Sequence, residues 1–157
     1  MTMTIELSRD HGLCMAVVVG YWLLQGIVLS IHVGMARKKY GVSPPQLYLT
    51  NADVAERKDK KDCVKITEED VIAYNSVQRS HQNNMEFMVA FMPVFLCGAI
   101  VQPRESAIAG AFSLLARTMS CFGYQYAPNG RLVGAWGYVP IFYIIYIVGK
   151  SAHELIM

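Results

Sequence analysis

Four long apolar stretches, separated by shorter polar segments, dominate this chain. They cover residues 13–36, 75–101, 106–127 and 132–149. Each is near or above the roughly 18 to 20 residues with which an α-helix crosses a bilayer. At 54% hydrophobic and a mean hydropathy of +0.29, the 157-residue chain is too apolar for a typical soluble protein. We therefore predict one all-α domain over residues 1–157, an integral-membrane four-helix bundle with four transmembrane helices.

Start and stop signals refine the predicted helices. Thr67 followed by Asp70 three residues later is a capping-box pattern, which moves the start of the second helix from 75 back to 68. The first helix is too long for the apolar core of a signal peptide and is followed by a basic stop-transfer pattern, so we expect it to remain as an anchor. The predicted helices cover residues 13–36, 68–101, 106–127 and 132–149, with a polar loop over 37–67.

The distribution of charge predicts an orientation. Eight of the fourteen Lys and Arg residues lie between residues 37 and 65. Because Lys and Arg accumulate in cytoplasmic loops, the 37–67 loop is predicted to be cytoplasmic and both termini to face the lumen or exterior. Seven acidic residues between 53 and 70 nearly neutralise the loop. This balance argues against a nucleic-acid patch, and we expect no nucleic-acid partner.

The cysteines and the local motifs exclude several kinds of site. Cys14, Cys63, Cys97 and Cys121 form no C-x-x-C pair. The pattern predicts neither a disulfide framework nor a zinc site, and we expect no metal. The chain also lacks a Gly-rich phosphate loop, an H-E-x-x-H motif and a nucleophile elbow. Any chemistry must therefore be of another kind.

The second predicted helix has charged residues at the start of its apolar part. Arg79, Asn83 and Glu86 stand at i, i+4 and i+7, so they share one face of an α-helix within two turns. A charged side chain in the hydrocarbon costs roughly 2.5 to 3.5 kcal/mol on insertion scales. Such residues are rare and indicate a functional site whose partner or ligand offsets the cost.

The third helix carries a second polar face. Arg117, Ser120 and Tyr124 stand at i, i+3 and i+7 and therefore share one side of that helix. Arg117 is a second arginine within an apolar span. His32 and His81 lack a convergent set of metal ligands, and we predict that both make hydrogen bonds between helices.

Several segments with these polar residues match a known family pattern. They are Ala36-Arg37-Lys38-Lys39-Tyr40, Val77-Gln78-Arg79-Ser80-His81-Gln82-Asn83-Asn84-Met85-Glu86, Gln102-Pro103-Arg104, Ala116-Arg117 and Gly123-Tyr124. The chain resembles the membrane-associated proteins in eicosanoid and glutathione metabolism, the MAPEG family, and within it the microsomal glutathione S-transferases. The resemblance covers about residues 36–134. It implies a homotrimer in the lipid bilayer, with glutathione bound in clefts between subunits near the cytoplasmic face.

By this resemblance, six residues would bind glutathione: Arg37, Arg79, Asn83, Glu86, Arg117 and Tyr124. The assignment is chemically consistent, because glutathione carries two carboxylates and one ammonium group. Arginines make bidentate contacts with carboxylates, and Glu86 suits the ammonium group. A ligand that complements these charges also reduces the cost of burying them.

The resemblance also implies a catalytic residue, Arg131, at the position of the family's thiolate-activating arginine. A free thiol has a pKa of about 8.5, and a nearby guanidinium favours its ionised form. Pro128-Asn129-Gly130 lies between Tyr124 and Arg131 and is typical of a helix stop followed by a turn. The sequence therefore leaves open whether Arg131 lies on a helix or a loop.

The resemblance implies an integral-membrane glutathione transferase that also reduces lipid hydroperoxides with glutathione. Its second substrate would be a lipophilic electrophile or a lipid hydroperoxide. Two alternatives remain open, a noncatalytic lipid-presenting member of the family and a glutathione-dependent prostaglandin-type isomerase. The expected membrane is the endoplasmic reticulum, with the outer mitochondrial membrane as the alternative.

Overall fold

The computed structural model describes residues 6–157, and all regular secondary structure in that range is helical, with no β-strand. The elements are α1 (Arg9–Tyr40), α2 (Asn51–Lys58), α3 (Glu68–Val101), α4 (Pro103–Tyr126), a 3₁₀ segment (Pro128–Gly137) and α5 (Tyr138–Ile156). The four long helices α1, α3, α4 and α5 form the predicted all-α bundle, which is confirmed. The first five residues of the predicted domain lie outside the described residues.

Three helical stretches among residues 6–157 are long and apolar enough to cross a membrane: Arg9–Tyr40, Glu68–Val101 and Pro128–Ile156. The remaining long helix, α4, has 24 residues and is long enough as well. It is less apolar because it contains Arg117 and three buried serines on its inner side. Large apolar side chains cover the outside of the bundle, as lipid contact requires.

The first helix is longer than predicted at both ends. It begins at Arg9 after the N-cap Ser8, whose backbone N–H donates to His11 Nδ1 at 3.1 Å. It ends at Tyr40, where Gly41 adopts a left-handed φ of 62°. Three basic residues in the last turn suit the negative end of the helix dipole. The predicted bounds of 13 and 36 followed the apolar run, whereas capping and charge extend the helix beyond it.

The polar 37–67 loop contains a helix that the sequence reading missed. Thr50 caps α2, and its backbone N–H and hydroxyl both donate to Asp53 Oδ2 at 2.7 Å. At the other end, Lys65 Nζ donates to the backbone oxygens of Arg57 and Lys58 at 2.6 and 2.7 Å. Side chains therefore close both ends of this eight-residue helix.

The polar end of the bundle has a small apolar core of its own. Tyr40, Val42, Leu49, Ile66 and Tyr74 are buried together there. At about 1.5 Å per residue, the 34 residues of α3 span about 51 Å, against a hydrocarbon thickness of about 30 Å. One end of α3 therefore extends beyond the hydrocarbon. The second helix was predicted over 68–101, and α3 has those bounds.

The fourth predicted helix is divided into two parts. A 3₁₀ segment precedes α5 and packs backbone to backbone on α4. A Cβ added at Gly130 would lie 1.9 Å from Gly123 O, and one at Gly134 would lie 2.0 Å from Ala116 O. Only glycine permits contacts this close. The predicted helix over 132–149 is therefore a true α-helix only from Tyr138 onward.

Candidate functional site

A cleft of about 520 Å³ opens at the polar end of α3. It lies between α3, the C-terminal end of α4 and the loop before α2. Its lining residues are Tyr48, Val71, Ile72, Asn75, Ser76, Arg79, Tyr124 and Pro128. The structure therefore brings two of the predicted binding residues, Arg79 and Tyr124, to one cavity from different helices.

Arg79 and Glu86 form an ion pair next to this cleft. Arg79 Nη1 lies 3.4 Å from Glu86 Oε1, and the two side chains are 43% and 51% exposed. They are seven residues apart on α3, which is the shared face that the sequence predicted. A half-exposed pair at this distance contributes little to stability. Both charges therefore remain available to a ligand.

Arg117 lies in a separate, interior cluster. It is 8% exposed, and its Nη2 donates to Asn83 Oδ1 at 3.0 Å and to Asn83 O at 3.3 Å. Its Nε donates to Asn84 Oδ1 at 3.3 Å, and its guanidinium lies 4.3 Å from the centroid of the Phe87 ring. Nε and Nη2 of the arginine are therefore satisfied by α3 of the same chain, and Asn83 is turned toward them.

Arg131 lies in the 3₁₀ segment and is exposed. Its Cζ is 6.0 Å from the centroid of the Tyr124 ring. Its backbone oxygen accepts a hydrogen bond from Ser120 Oγ at 2.9 Å, which attaches the segment to α4. The question left open by the sequence is thus answered, because Arg131 is neither on the face of α4 nor on an irregular loop. Ser120 serves to hold this segment.

Arg37 is engaged within its own loop. Its Nη2 donates to Gln46 O at 2.7 Å and its Nη1 to Val42 O at 3.4 Å. It does not line the cleft of its own subunit. Its predicted role at glutathione remains a prediction that depends on a neighbouring subunit.

A comparison with known proteins identifies the family of this chain. Residues 15–150 match the model of the MAPEG family, a range that includes every predicted site residue. The chain belongs to the MAPEG family. An uncharacterised protein of the cyanobacterium Synechocystis is 35% identical over 109 residues, which are 69% of this chain and 64% of the relative. The chain thus spans less than two thirds of that relative's length.

Family membership and the three apolar helical stretches make this chain an integral membrane protein. The MAPEG family includes glutathione transferases and also members without enzymatic activity. Which of these activities belongs to this MAPEG protein is therefore a question for the site itself.

Sequence reasoning missed Tyr48, which the loop brings to the cleft beside Arg79. Leu49 N donates to Asn75 Oδ1 at 2.9 Å, and Asn75 Nδ2 donates to Leu49 O at 2.8 Å. This reciprocal pair attaches the loop to α3, and the Tyr48 hydroxyl donates to Gln82 Oε1. A tyrosine in a polar loop has no periodicity that would have indicated this position.

The α2 cap helps to hold the same loop. Gln46 Nε2 donates to Asp53 Oδ1 at 2.9 Å and to Tyr48 O at 3.1 Å. Hydrogen bonds from the Thr50 side chain, the Thr50 backbone and Gln46 lower the pKa of the Asp53 carboxyl below its usual 3.8. A carboxylate that accepts several hydrogen bonds is stabilised in its ionised form. Asp53 thus connects the α2 N-terminus to the backbone that carries Tyr48.

A second, apolar groove of about 600 Å³ lies on the outside of α4 and α5. Phe112, Trp136 and Tyr143 line it, and Glu105 is its one charged lining residue. Phe112 is twelve residues from Tyr124, or about 18 Å along the helix. The groove is therefore separate from the charged cleft and is part of the apolar outer surface.

Proposed function

We propose that this MAPEG protein is a membrane glutathione transferase with glutathione-dependent lipid-hydroperoxide peroxidase activity, of the microsomal glutathione S-transferase 3 type. One observation carries the proposal. The half-exposed Arg79 lines the cleft at the polar end of α3 together with the hydroxyl-bearing Tyr124, and the half-exposed Glu86 pairs with Arg79 next to the cleft. Both signs of charge are needed to bind a zwitterionic peptide.

Glutathione fits this donor and acceptor set. Arg79 would bind a carboxylate through two N–H groups, and Glu86 would accept hydrogen bonds from the ammonium group. The ligand would replace a weak ion pair with two charge-assisted contacts. Arg117 and Asn83 lie behind this surface, and Arg37 would reach the ligand from the neighbouring subunit of a homotrimer.

Arg131 is the proposed thiolate-stabilising residue. Bound glutathione supplies a thiol, the source of the sulfur nucleophile or of reducing electrons. A guanidinium near that sulfur lowers its pKa and increases the ionised fraction at neutral pH. The position of Arg131 beside Tyr124, at the edge of the cleft, supports this role. In transfer, the S–H bond breaks and a carbon–sulfur bond forms, while the electrophile either takes up a proton or releases its leaving group. Peroxide reduction consumes two thiols and one hydroperoxide and yields a disulfide, an alcohol and water.

Lipophilic substrates would reach the cleft through the bilayer. The segment that follows the charged face of α3 is apolar and largely exposed on its outer side. A lipid tail can therefore lie along the bundle while its reactive group approaches the polar end. We place the protein in the endoplasmic reticulum, with the 37–67 segment on the cytoplasmic side.

The decisive experiment uses the full chain purified in mild detergent. Glutathione binding is measured by isothermal titration calorimetry, and conjugation and lipid-hydroperoxide reduction are assayed separately. We expect binding and at least one of the two activities. Binding with neither activity would identify a noncatalytic member, and conversion of a cyclic endoperoxide without glutathione consumption would identify an isomerase. Absence of glutathione binding would overturn the proposal.

A further inference from the structure

The first helix is interrupted by a π-helical segment, Leu23–Leu29. The buried positions Val17, Tyr21 and Leu24, the last of them inside the segment, are spaced by four and three residues. The next buried position is Leu29, five residues on, so the π-turn shifts the inward-facing side of the helix by about one residue. Single π-turns of this kind occur frequently at functional sites.

Gln25 lies within the π-helical segment and reaches α3. Its Nε2 lies 3.0 Å from His81 Nε2 and donates to His81 O at 3.3 Å. Its Oε1 accepts a hydrogen bond from Asn84 Nδ2 at 2.9 Å. Asn84 is completely buried and accepts the hydrogen bond from Arg117 Nε. A continuous polar chain therefore runs from His81 through Gln25 and Asn84 to Arg117.

The donors and acceptors in this series of hydrogen bonds permit only one orientation of the Gln25 and Asn84 amide groups. His81 O is a backbone carbonyl and can only accept, so the amide nitrogen of Gln25 must face it. The Gln25 oxygen then faces Asn84, whose amide nitrogen must turn toward it. The Asn84 oxygen is left facing Arg117, where an acceptor is required. The reversed orientation of either amide would place two donors or two acceptors against each other.

This arrangement also determines which part of Arg117 remains available. Nε is committed to Asn84 and Nη2 to Asn83. Among residues 6–157, no hydrogen-bond acceptor contacts Nη1 of Arg117. Its two N–H groups therefore have no acceptor in this range and can donate to an anion.

We propose that Gln25 is a positioning residue for Arg117. The π-turn of α1 brings its amide into the bundle, and through Asn84 it holds the guanidinium in one orientation with Nη1 available. The idea rests on the proposed function only where it names a glutathione carboxylate as the anion that Nη1 binds. The orientation of Arg117 is independent of any ligand, so it can be tested separately.

The first test measures hydrogen exchange of the Arg117 Nε–H by nuclear magnetic resonance. The full chain is labelled with ¹⁵N-arginine in detergent, and the resonance is assigned with Arg117→Lys. Gln25→Met removes the amide at nearly constant size, and we expect exchange to accelerate about tenfold, the effect of losing one buried hydrogen bond. Gln25→Glu in its protonated form retains both an oxygen that accepts from Asn84 and a donor that faces His81 O, so at acidic pH it should restore the rate of the wild type at the same pH.

Gln125→Met is the matched control. It breaks another glutamine–histidine hydrogen bond between helices, His32 Nδ1 to Gln125 Oε1 at 2.9 Å, that is not part of the chain to Arg117. It should leave the Arg117 Nε–H exchange rate unchanged. If Gln25→Met does not fold, Gln25→Ala takes its place. Equal exchange rates in wild type and the Gln25 variant would overturn the proposal, whether or not glutathione binds.

A double-mutant cycle on glutathione affinity tests whether Gln25 affects glutathione binding through Arg117. Gln25→Met should weaken binding about threefold to tenfold, but should have no further effect in an Arg117→Met background. Additive losses would show that Gln25 acts only through general stability. A wild-type protein that shows no glutathione binding would instead contradict the proposed function, while the exchange result would still decide the role of Gln25.

Discussion

At the scale of single residues, the site contains half-exposed charges that are weakly paired and a buried arginine that several side chains hold in place. Arg79 and Glu86 are half-exposed and weakly paired, whereas Arg117 is enclosed by Asn83, Asn84 and an aromatic ring. Arg79 and Glu86 are suited to exchange each other for a ligand. Arg117 is suited to hold a fixed geometry, because a buried arginine that moves away from several hydrogen-bond partners loses their stabilising free energy.

Glu86→Gln should weaken glutathione binding. The substitution removes the charge that pairs with the ligand's ammonium in the ground and transition states alike, so KM should rise about tenfold with a smaller change in kcat. Steady-state kinetics with varied glutathione measures both. Glu154→Gln, which removes another half-exposed pair on α5, is the control and should leave KM unchanged. An unaltered KM in Glu86→Gln would exclude Glu86 from the binding site.

Arg131→Ala should affect activation of the thiol rather than binding. Loss of the cation beside the sulfur should raise the pKa of the bound thiol, so the ultraviolet absorbance of the thiolate and the turnover should fall together, by about tenfold or more. Arg104→Ala, at the opposite end of α4, is the matched control for removal of an exposed arginine. If thiolate absorbance and turnover survive Arg131→Ala, the activator is a different residue, with Arg37 of a neighbouring subunit the next to test.

At the scale of elements, two short segments carry the site residues that do not lie on the long helices. The 3₁₀ segment carries Arg131 and lies against α4 through glycine contacts. The capped α2 region carries the loop with Tyr48, which Asn75 attaches to α3. Both segments lie at the polar end, where the bundle extends beyond the hydrocarbon.

Gly130→Ala should displace the 3₁₀ segment. Its Cβ would lie 1.9 Å from Gly123 O, so the segment must move away from α4 and carry Arg131 with it. We expect a lower melting temperature and a kcat reduced about as far as in Arg131→Ala, since both changes remove the cation from the cleft. Gly149→Ala, whose Cβ would have no neighbour within 4 Å, is the control and should not reduce kcat. Full turnover in Gly130→Ala would show that close packing of the 3₁₀ segment on α4 is not needed for catalysis.

Acidic pH should destabilise the α2 region. Asp53 has a folded-state pKa lowered below 3.8, so its stabilising effect is complete above that value and is lost as the pH falls through the folded pKa. Hydrogen exchange of the segment 46–58, corrected for intrinsic rates, should increase in that acidic range. In Asp53→Asn the same segment should exchange faster at neutral pH and show a smaller acid response. Identical pH profiles in the two proteins would rule out this role of Asp53.

At the scale of the whole molecule, one subunit provides only part of the predicted binding surface. Arg79 and Glu86 remain half-exposed at its side, and Arg37 is turned into its own loop. Exposure of such charges to lipid would be costly. A neighbouring subunit that covers this face would reduce the cost and complete the cleft. Arg117 does not enter this argument, because it is buried within the subunit.

The full chain in mild detergent should crosslink to a trimer and no further. Amine-reactive crosslinking followed by electrophoresis under denaturing conditions measures the largest species, and sedimentation velocity gives the mass independently. Preincubation with sodium dodecyl sulfate, which separates the subunits, is the control and should abolish the crosslinked bands. A monomer that retains glutathione binding would show that one subunit is sufficient.

Much of this architecture follows from the sequence alone because its determinants are local. Apolar length predicts the long helices, and the Thr67–Asp70 capping box marks the start of α3, where Thr67 N donates to Asp70 Oδ2 at 2.9 Å. The spacing of Arg79 and Glu86 predicts a shared face, because helix geometry depends only on separation along the chain. His32 and His81 make the hydrogen bonds between helices that their isolation predicted.

Other features were decided by tertiary contacts between distant parts of the chain. Tyr48 reaches the cleft because its neighbour Leu49 forms hydrogen bonds with Asn75 of α3, 26 residues away from Leu49 in sequence. Gln25, which contacts Asn84, lies in a π-helical segment of α1 that no local propensity indicates. Asn83 faces Arg117 rather than the cleft because the guanidinium of α4 requires acceptors. The sequence determined which residues share a helix face, and the packing of the helices decided which of those faces form the site.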